Sequence, residues 1–431
     1  MTYQQTIDYL FTRLPMFSRI GADAIKKDTT NTIELCQLLG NPHQKFRSIH
    51  IAGTNGKGSV SHMLAAILQT AGYKTGLYTS PHLKDFRERI RINGDLIPQQ
   101  FVIDFVQRMQ DAIEELNPSF FEITVAMAFD FFAREKVDIA VIEVGLGGRL
   151  DSTNIITPEV SVITNISRDH MNILGDTIEK IAFEKAGIIK ENIPVVIGET
   201  SSSTSPVFEK VATSKHSPIV FADQVRYVSG WKFEQGYLHV ETANLVKDEH
   251  HVYSLDLTGY YQTKNLVTVL ETIAQLQRDD WKVSDAHIDK ALRQVKKMTG
   301  LQGRWEIIHQ HPTIVLDVAH NADGIKQVAS QIELSTYKDL HIVIGLVKDK
   351  EIEMVLSLLP KEATYYFTRA GIPRAVPELE LRQKGNSIGL KGEHFPTVNQ
   401  ALEAARNHAH KDDLIIVCGS VFMVGEVALN G

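Results

Sequence analysis

The sequence predicts an α/β protein with two domains, over residues 1–297 and 298–431. Its length of 431 residues fits two or three domains, at roughly 150 residues for each. From about residue 47, short β-rich segments alternate with longer amphipathic segments, a pattern typical of a parallel sheet covered by helices. The alternation begins again after the glycine-containing segment 298–303, which we interpret as a linker. We therefore expect a parallel sheet in each domain.

In the first domain, the predicted strands and helices alternate along the chain. The predicted strands are Ser48–Ala52, Thr75–Thr79, Val137–Val144, Val160–Ile166 and Val195–Gly198. The predicted helices are Ser59–Ala71, Pro98–Leu116, Glu122–Glu135, Thr177–Ile189, Lys264–Gln277 and Ala286–Lys297, the last with Ser284 as its cap. Residues 225–258 alternate apolar and polar side chains between glycines, which predicts a small antiparallel appendage.

The second domain repeats the α/β alternation on a smaller scale. Its predicted strands are Trp305–Ile308, Ile314–Asp317, His341–Gly345, Thr364–Thr368 and Leu414–Cys418. Cys418 lies in an apolar strand and the other cysteine, Cys36, in the helical segment TIELCQLLG. We expect both thiols to pack in the core, and neither to bind a metal or form a disulfide.

The composition restricts the function classes. The 45 Lys and Arg residues against 52 Asp and Glu residues give a net charge of −7, so any site for a polyanion must be local. The hydrophobic share of 43% and the charged share of 23% are ordinary for a globular protein. No leader-like start and no apolar stretch of about 18 residues occurs. We expect a cytoplasmic monomer with no nucleic-acid or membrane partner.

The strongest local motif lies between a predicted strand and a predicted helix. It reads Gly53-Thr54-Asn55-Gly56-Lys57-Gly58-Ser59. Glycines let backbone N–H groups point at phosphates, the helix start adds positive potential, and Lys57 supplies a cation. The spacing departs from the general P-loop, because Gly53 precedes Gly56-Lys57 by three positions instead of five. A nucleoside triphosphate fits this loop; a tight strand-to-helix turn is the alternative.

Three further groups of polar residues follow strands of the same sheet. They are Thr79-Ser80-Pro81-His82-Leu83, Glu143 and Asp169-His170. A carboxylate, an imidazole and a hydroxyl beside the P-loop suit Mg²⁺ that bridges phosphates. Taken singly, His170 is equally a loop histidine and Glu143 a capping or ion-pairing group. The glycine turn Gly145–Asp151 lacks the G-x-G-x-x-G spacing, so we exclude a dinucleotide site.

Together these motifs closely resemble the folate branch of the Mur ligase family, the folylpolyglutamate and dihydrofolate synthases. The segments that carry the resemblance are GTNGKGS (53–59), TSPHL (79–83), EVGLGGRLDSTN (143–154), ISRDHMNILG (166–175), EKAGIIK (184–190), GYYQTKN (259–265), GRWE (303–306), DVAHN (317–321) and CGSVFMVGE (418–426). The resemblance implies a P-loop NTPase-like Mur ligase central domain and a smaller Rossmann-like C-terminal domain that acts in glutamate ligation. The P-loop spacing is the family's own variant.

The resemblance also implies the roles of individual residues. Catalytic roles would fall to Lys57, Glu143, His170 and Lys185. ATP would be held by residues 53–59 with Asn265, Arg304 and Asp317, and two Mg²⁺ ions by Ser59, Ser80, Glu143, His170 and Lys185 as a carbamate. The substrates would contact Ser80, His82, Phe121, Glu122, Leu150, Asp151, Ser152, His320 and Asn321, with Asp349-Lys350 nearby. Some of these have structural alternatives: Phe121 as core, Asn265 as a helix-start residue, and Asp349-Lys350 as a solvated turn.

The carbamate prediction rests on charge. A lysine ammonium beside Mg²⁺ repels it, and burial favours the neutral amine, the form that reacts with CO₂. In the family the lysine at the position of Lys185 is commonly modified in this way. The alternative is a helix lysine paired with Glu184, and Lys190 fits less well because it lies at the helix end.

The implied reaction joins L-glutamate to the carboxylate of a folate or dihydropteroate through an acyl phosphate made from ATP. Mg²⁺ and Lys57 neutralise the transferring phosphoryl group, and domain closure excludes water. Two other classes stay open: another Mur-type ligase for cell-wall precursors, and a nucleotide-binding module without ligase activity. The first is not expected to contain Gly145–Asp151, and a GTPase switch needs an Asn-Lys-x-Asp that is missing here.

Overall fold

The structure of the chain, a computed structural model, describes residues 1–24, 28–245, 249–348 and 351–428. The chain forms two compact units. The first contains Met1–Ser167, Met171–Asp256 and Gln262–Leu301, and the second contains Arg168–His170, Leu257–Tyr261 and Gln302–Gly431. In the described ranges, every helix is too short or too polar to traverse a lipid bilayer.

The main sheet of the first unit is mostly parallel. Its strands are β1 (Arg47–Ala52), β2 (Thr75–Tyr78), β3 (Ile90–Ile92), β4 (Asp95–Leu96), β5 (Ile139–Glu143), β6 (Val160–Ile163), β7 (Val195–Ile197) and β8 (Ile219–Phe221). Their order in space is β4-β3-β2-β5-β1-β6-β7-β8; β3 pairs antiparallel with both β2 and β4, and the other pairings are parallel. Strands β5 and β6 are buried at every position, as expected for parallel strands covered on both faces.

Helices cover both faces of this sheet. They are α1 (Tyr3–Arg13), α2 (Phe17–Ile20), α3 (Thr30–Leu38), α4 (Lys57–Thr70), α5 (Gln99–Arg108), α6 (Gln110–Leu116), α7 (Phe120–Arg134), α8 (Met171–Leu174), α9 (Ile178–Ala186), α10 (Ser205–Ser214), α11 (Ala222–Val225), α12 (Gln262–Arg278), α13 (Asp285–Leu292) and α14 (Val295–Thr299). Ser119 and Ser284 cap α7 and α13 through their hydroxyls, and Ser284 is the cap that the sequence predicts.

The packing places the loops after β1, β5 and β6 at one edge of the sheet. In the register, Ile51 of β1 lies opposite Glu143 of β5, and Ala52 lies opposite Ile163 of β6. A cluster that includes Ala52, Ile163 and Ile188 packs one part of the core, and a larger cluster around α7 packs another. The P-loop sequence therefore leaves the sheet between the ends of two buried neighbouring strands.

A three-stranded antiparallel sheet extends the first unit. It contains β9 (Arg226–Glu234), β10 (Tyr237–Asn244) and β11 (Glu249–Leu255), in the order β11-β10-β9. This sheet is the predicted appendage.

The second unit contains a mixed sheet and its covering helices. The strands are β12 (Glu306–Gln310), β13 (Thr313–Leu316), β14 (Leu340–Ile344), β15 (Thr364–Phe367), β16 (Lys391–His394) and β17 (Leu414–Cys418), in the order β12-β13-β17-β14-β15-β16. The helices are α15 (Ala322–Glu333), α16 (Ile352–Ser357), α17 (Glu378–Ser387), α18 (Val398–His408) and α19 (Val421–Glu426). Only β12 runs antiparallel to its neighbour.

The predicted α/β class, with a parallel sheet in each part and an antiparallel appendage, is confirmed. Cys36 and Cys418 are buried free thiols, as expected from their apolar surroundings in the sequence. Predicted strands end within three residues of the observed ones. The largest difference is at β6, which ends at Ile163 because the following residues turn toward the P-loop.

Three predicted helices were wrong in extent. The predicted helix Pro98–Leu116 is two helices, since the buried Met109 adopts φ −96° and ψ 5° and ends α5. The helix predicted as Thr177–Ile189 ends at Ala186, where Gly187 follows as the C-cap. The predicted linker from residue 298 begins two residues later, because α14 continues to Thr299 and Gly300 ends it with φ 69°.

The third predicted helix that differs in extent is Ala286–Lys297. It is interrupted by a residue that is distant in the sequence. The backbone N–H of Asp256 donates to the Leu292 carbonyl (3.1 Å), and the Asp256 carboxylate accepts from the Lys296 N–H (2.8 Å). In a continuous helix these two backbone groups would bond each other. Asp256 takes the place of that bond, and α13 and α14 are therefore separate.

Candidate active site

The P-loop backbone requires glycine at two positions. Gly53 has φ 149°, and a Cβ there would lie 1.9 Å from the Thr164 hydroxyl oxygen. Gly56 has φ 83° at the N-cap of α4, and a Cβ there would lie 2.3 Å from Asn265 Oδ1. Both the backbone conformation and the close neighbours exclude a side chain. The backbone of the loop therefore lies directly against β6 and α12.

Two lysine side chains point at one carbonyl of this loop. Lys57 Nζ donates to the carbonyl oxygens of Gly53 and Thr54, each at 3.1 Å. Lys185, a buried residue of α9, donates from Nζ to the same Gly53 oxygen at 2.8 Å. The structure thus brings together two predicted catalytic residues that are far apart in sequence. The positive charge of Lys57 makes this end of the sheet suitable for a polyanion.

The start of α4 is joined to α12 by a buried chain of polar groups. Asn265 Nδ2 donates to Gln262 Oε1 (2.8 Å), and Gln262 Nε2 donates to the Ser59 hydroxyl (3.1 Å). Asn265 and Ser59 are predicted site residues, whereas Gln262 was not identified from the sequence. It lies in the GYYQTKN segment with Asn265, so the signal was present.

Residues after β6 hold the other side of the P-loop. The Thr54 N–H donates to the Asn165 carbonyl (3.0 Å), and the Asn55 N–H donates to Asn165 Oδ1 (2.9 Å). The Thr164 hydroxyl donates to the Asn55 carbonyl (2.5 Å). Thr164 and Asn165 were predicted to belong to a strand; they instead fix Thr54 and Asn55.

The loop after β2 meets the end of β5. The Ser80 N–H donates to Glu143 Oε2 (3.2 Å), and the Glu143 side chain is buried. Hydroxyl and carboxylate oxygens are ligands that Mg²⁺ accepts, usually with phosphates and water completing its shell. Within the described ranges, no group of three or more His, Cys, Asp or Glu side chains could hold a metal ion by itself. Ser80 and Glu143 thus offer a hydroxyl and a carboxylate, which are donors of the type that Mg²⁺ binds.

His82, a predicted substrate residue, is held in its neutral form. Arg89 Nε donates to His82 Nδ1 (2.7 Å), and the His82 ring stacks on Phe11 with a centroid distance of 6.1 Å. Burial, followed by the charge of Arg89, lowers the pKa of His82 to about 3. The buried guanidinium of Arg89 lies over the Phe120 ring (5.2 Å), which forms a cationic and aromatic surface. Arg89 was not identified from the sequence.

The glycine turn after β5 is packed against α7 and α9. A Cβ on Gly145 would lie 2.4 Å from Phe121 Cζ, so the Phe121 ring covers this glycine. Arg149 donates its backbone N–H to Glu184 O (2.8 Å) and pairs with the Glu184 carboxylate (2.9 Å). The Glu184 carboxylate, which the sequence offers as a partner for Lys185, thus pairs with Arg149.

The predicted substrate residues after this turn differ in exposure. Leu150 is exposed, whereas Asp151 and Ser152 are buried. Burial raises the pKa of Asp151, and its carboxylate accepts from the Leu146 N–H (2.9 Å). Glu122 is buried as well and acts in the capping box of α7: its Oε2 accepts from the Ser119 N–H (2.6 Å).

In the second unit, Asp169 joins three predicted site residues. Its Oδ2 accepts from Asn321 Nδ2 (2.9 Å) and lies 3.4 Å from His320 Nε2. The neighbouring His170 has φ 51°, and its backbone N–H donates to Asp169 Oδ1 (2.8 Å). Asn321 also caps α15 by accepting from the Gly324 N–H (2.8 Å). Asp169 was recognised in the Asp169-His170 motif but given no role.

A second carboxylate of this unit is also fully hydrogen-bonded. Asp317 Oδ2 accepts from the Tyr261 hydroxyl (2.7 Å) and the Trp305 N–H (2.8 Å), and Oδ1 accepts from the Ala319 N–H (2.9 Å). Burial raises the pKa of Asp317, which its hydrogen bonds and the charge of Arg304 partly counteract. Arg304 and Asp317 thus belong to one cluster. The predicted pair Asp349-Lys350 lies outside the described residues.

Comparison with known protein families identifies two matches. The Mur ligase middle domain matches residues 51–273, and the glutamate ligase domain of Mur ligases matches residues 303–421. The two matched regions include every P-loop residue and the Asp317–Asn321 segment.

Curated relatives and solved structures match over nearly the whole chain. A dihydrofolate synthase/folylpolyglutamate synthase of Bacillus subtilis is 32% identical over 99% of this chain and 98% of its own length. A probable bifunctional folylpolyglutamate synthase/dihydropteroate synthase of Haloferax volcanii is 33% identical over 99% of this chain, which spans only 50% of that relative. The structure of Escherichia coli FolC in complex with DHPP and ADP has a TM-score of 0.83 and 27% identity, over 99% of this chain and 96% of that one.

Proposed function

The chain belongs to the Mur ligase family, in the branch of the folylpolyglutamate and dihydrofolate synthases, and on this premise we propose that it is an ATP-dependent, ADP-forming ligase. It joins the amine of L-glutamate to the carboxylate of a folate or a dihydropteroate. We include both acids because the Bacillus subtilis relative carries both activities in its name. The division of roles between residues 1–297 and 298–431, and action as a cytoplasmic monomer, are part of the same proposal.

The observation that carries this proposal is the P-loop with its two lysines. Lys57 and Lys185 both donate to the Gly53 carbonyl, and Glu143 lies at the end of the neighbouring strand β5. A glycine-rich backbone, the Lys57 cation and a buried carboxylate suit a triphosphate with its metal ion. The relative from Escherichia coli was solved with ADP, which agrees with ATP as the nucleotide here.

The reaction follows from the poor electrophilicity of a carboxylate. An oxygen of the acid attacks the γ-phosphorus of ATP, and the bond to the β-phosphate oxygen breaks, which gives an acyl phosphate and ADP. The neutral amine of glutamate then attacks the acyl carbon, phosphate leaves, and the nitrogen loses a proton. Holding both substrates in register supplies roughly 7–11 kcal/mol of the barrier reduction.

The chain's own groups have separate tasks. The P-loop N–H groups and Lys57 bind the phosphates and stabilise the negative charge that develops during transfer. Ser59, Ser80, Glu143 and a carbamylated Lys185 would hold Mg²⁺ in the first unit, and His170 would offer an imidazole ligand in the second unit. When bound, magnesium would neutralise negative charge on the phosphates. Asn265, Arg304 and Asp317 contact the nucleotide.

The acid substrates occupy the surface formed by α7 and the glycine turn. Phe121 offers an aromatic face, and Leu150, Asp151 and Ser152 follow the turn that Phe121 covers. Glu122 supports this surface through its cap on α7, and His82 lies on the neighbouring loop. His320 and Asn321 of the second unit bind glutamate.

The test is release of phosphate from ATP in the presence of L-glutamate. Dihydropteroate and tetrahydrofolate are offered in separate reactions, with a muramyl nucleotide as the third acid. Glutamate-dependent release with either pterin acid supports the proposal, and release with both supports a bifunctional enzyme. Release with the muramyl nucleotide alone would identify a cell-wall ligase instead.

Two variants link this activity to the site. Lys57→Ala and Glu143→Ala should each lower turnover by about 100-fold or more, because each removes charge stabilisation at the transferring phosphoryl group. Lys74→Ala is the matched control, since Lys74 is partly exposed and pairs with Glu135. Wild-type turnover in a folded Glu143→Ala protein would remove the metal assignment.

A further inference from the structure

A buried chain of hydrogen bonds leads from β1 to the glycine turn. His50 is fully buried in β1, and its Nε2 lies 2.8 Å from the Thr153 hydroxyl. The Thr153 hydroxyl donates to Asp151 Oδ1 at 2.5 Å. His50 and Thr153 have no role in the chemistry described above, although they lie directly behind a predicted substrate residue.

The donors and acceptors in this chain have one consistent direction. An ionised carboxylate only accepts, so the single proton of the Thr153 hydroxyl goes to Asp151. The hydroxyl oxygen must then accept from His50, which carries its proton on Nε2. His50 Nδ1 is left as a lone pair, and within the described residues it is buried without a partner. Burial, followed by the charge of Lys190, lowers the pKa of His50 to about 3, so the ring is neutral.

The carboxylate at the end of this chain ties the glycine turn together. Asp151 accepts the Leu146 N–H on Oδ2 (2.9 Å) and the Thr153 N–H on Oδ1 (3.0 Å). It therefore holds the first part of the turn against its last part. Gly145, which precedes Leu146, is the glycine covered by the Phe121 ring. Rotation of the Asp151 carboxylate would break its bonds to both parts of the turn.

We propose that His50 and Thr153 are positioning residues, which hold the Asp151 carboxylate in the ionised, correctly oriented form that recognises the pterin ring of the acid substrate. This inference rests on the proposed function, because it takes Asp151 as a substrate contact. A pterin presents adjacent N–H donors on its pyrimidine edge, and an ionised carboxylate is a complementary acceptor. The hydrogen bonds from His50 through Thr153 to Asp151, which we call the relay, keep the carboxylate in place to meet the pyrimidine edge of the pterin. His50 lies in β1, the strand that leads into the P-loop.

The test measures binding of dihydropteroate to the full chain by isothermal titration calorimetry, without ATP or glutamate. Thr153→Val keeps the side-chain volume and removes the hydroxyl, and should weaken binding about tenfold. Thr153→Ser restores the hydroxyl and should bind within about twofold of the wild type. His50→Gln retains an N–H donor and should behave like Thr153→Ser, whereas His50→Leu should behave like Thr153→Val.

A matched control is available elsewhere in the first unit. Thr299 is also buried, and its hydroxyl lies 2.8 Å from His62 Nδ1. Thr299→Val removes an equivalent histidine–threonine contact and should leave dihydropteroate binding unchanged. In steady-state assays the KM for the acid should rise in Thr153→Val, while the KM values for ATP and glutamate stay constant.

Each outcome decides between the relay and a packing role. Wild-type binding by a folded Thr153→Val protein overturns the proposal. So does equal loss in Thr153→Val and Thr153→Ser, because volume and not the hydroxyl would then matter. If the wild type binds dihydropteroate but releases no phosphate with ATP and glutamate, the proposed function fails while the relay is still measured. If the wild type binds no pterin acid, both fail.

Discussion

Gly56 of the P-loop is constrained both by its backbone conformation and by a neighbouring side chain. Gly56 has a left-handed backbone conformation and also faces Asn265 Oδ1, which is held by Gln262. Asn265 cannot turn away without loss of its bond to Gln262, and Gln262 in turn bonds the Ser59 hydroxyl. One methyl group at Gly56 would therefore disturb three side chains at the start of α4.

A matched pair of glycine variants separates these two constraints. Gly236 lies in the turn between β9 and β10 with φ 80°, close to the φ of 83° at Gly56, but a Cβ there would meet nothing within 4 Å. Both Gly56→Ala and Gly236→Ala should cost about 1–2 kcal/mol for the left-handed backbone. Only Gly56→Ala should also weaken ATP binding, by more than tenfold, measured by titration calorimetry. Equal ATP affinity in the two variants would contradict the role of the Asn265 contact.

Lys185 gives a second prediction for a single residue. Its Nζ is buried and donates to Gly53 O, in a loop that already carries Lys57. The ammonium first loses a proton, and the neutral amine then reacts with CO₂ and releases a second proton, so one positive charge is replaced by one negative charge. The carbamate nitrogen keeps one N–H, so the bond to Gly53 O can persist. We expect a carbamate signal in the ¹³C NMR spectrum after equilibration with ¹³CO₂.

The control for this experiment is a lysine with a different environment. Lys190 is partly buried, and burial lowers its pKa to about 8, so it also has a reactive neutral fraction. Lys190→Arg should keep the carbamate signal, whereas Lys185→Ala should lose it together with most of the ligase activity. A short carboxylic acid should partly restore activity to Lys185→Ala. An active Lys185→Ala protein without any carbamate signal in the wild type would refute the assignment.

At the scale of elements, a single carboxylate separates two helices. The Asp256 N–H donates to the Leu292 carbonyl, and the Asp256 carboxylate accepts from the Lys296 N–H. Burial raises the pKa of this carboxyl group. The sequence pattern from Ala286 to Lys297 is helical throughout, so the break is not visible in the local sequence. It depends on a residue 40 positions earlier in the chain.

A substitution series at Asp256 tests this account. Asp256→Asn keeps an acceptor oxygen for the Lys296 N–H and should change the free energy of unfolding little. Asp256→Leu leaves that N–H unpaired and should cost about 1–3 kcal/mol. The free energies are measured by urea denaturation. Equal stability of the two variants would show that the carboxylate does not hold the junction between α13 and α14.

The difference between local sequence patterns and contacts of distant residues explains what the sequence could and could not predict. Apolar strands such as β5 and β6 carry a local signal, and they were predicted within three residues. Strand β16 reads KGEH and is mostly exposed, so no local hydrophobic pattern marks it. Site residues were predicted where recognisable motifs occur, whereas Asn165 acts through a bond to Asn55, 110 positions earlier in the chain. Such partners become visible only when the chain is folded.

For the whole molecule, charge distribution matters more than net charge. The chain carries a net charge of −7 and binds an anionic nucleotide in the proposed reaction. Positive charge is concentrated at the P-loop through Lys57, and Arg89 places another cation behind His82. A local cationic site within an acidic protein favours small anions over large polyanions such as nucleic acids, because the remaining surface repels the latter.

The proposed order of bond formation predicts the path of one oxygen atom through the whole reaction. If the acid attacks ATP first, the oxygen that bridges carbon and phosphorus comes from the acid. When the amine displaces phosphate, the bond from that oxygen to carbon breaks, and the oxygen leaves with phosphorus. Tetrahydrofolate labelled with ¹⁸O in its γ-carboxylate should therefore give phosphate that contains one ¹⁸O atom, measured by mass spectrometry. Glutamate labelled in both carboxylates is the control and should give unlabelled phosphate in the first ligation cycle. Unlabelled phosphate from the labelled folate would mean that ATP is hydrolysed by water without activation of the acid, and the acyl phosphate mechanism would be wrong.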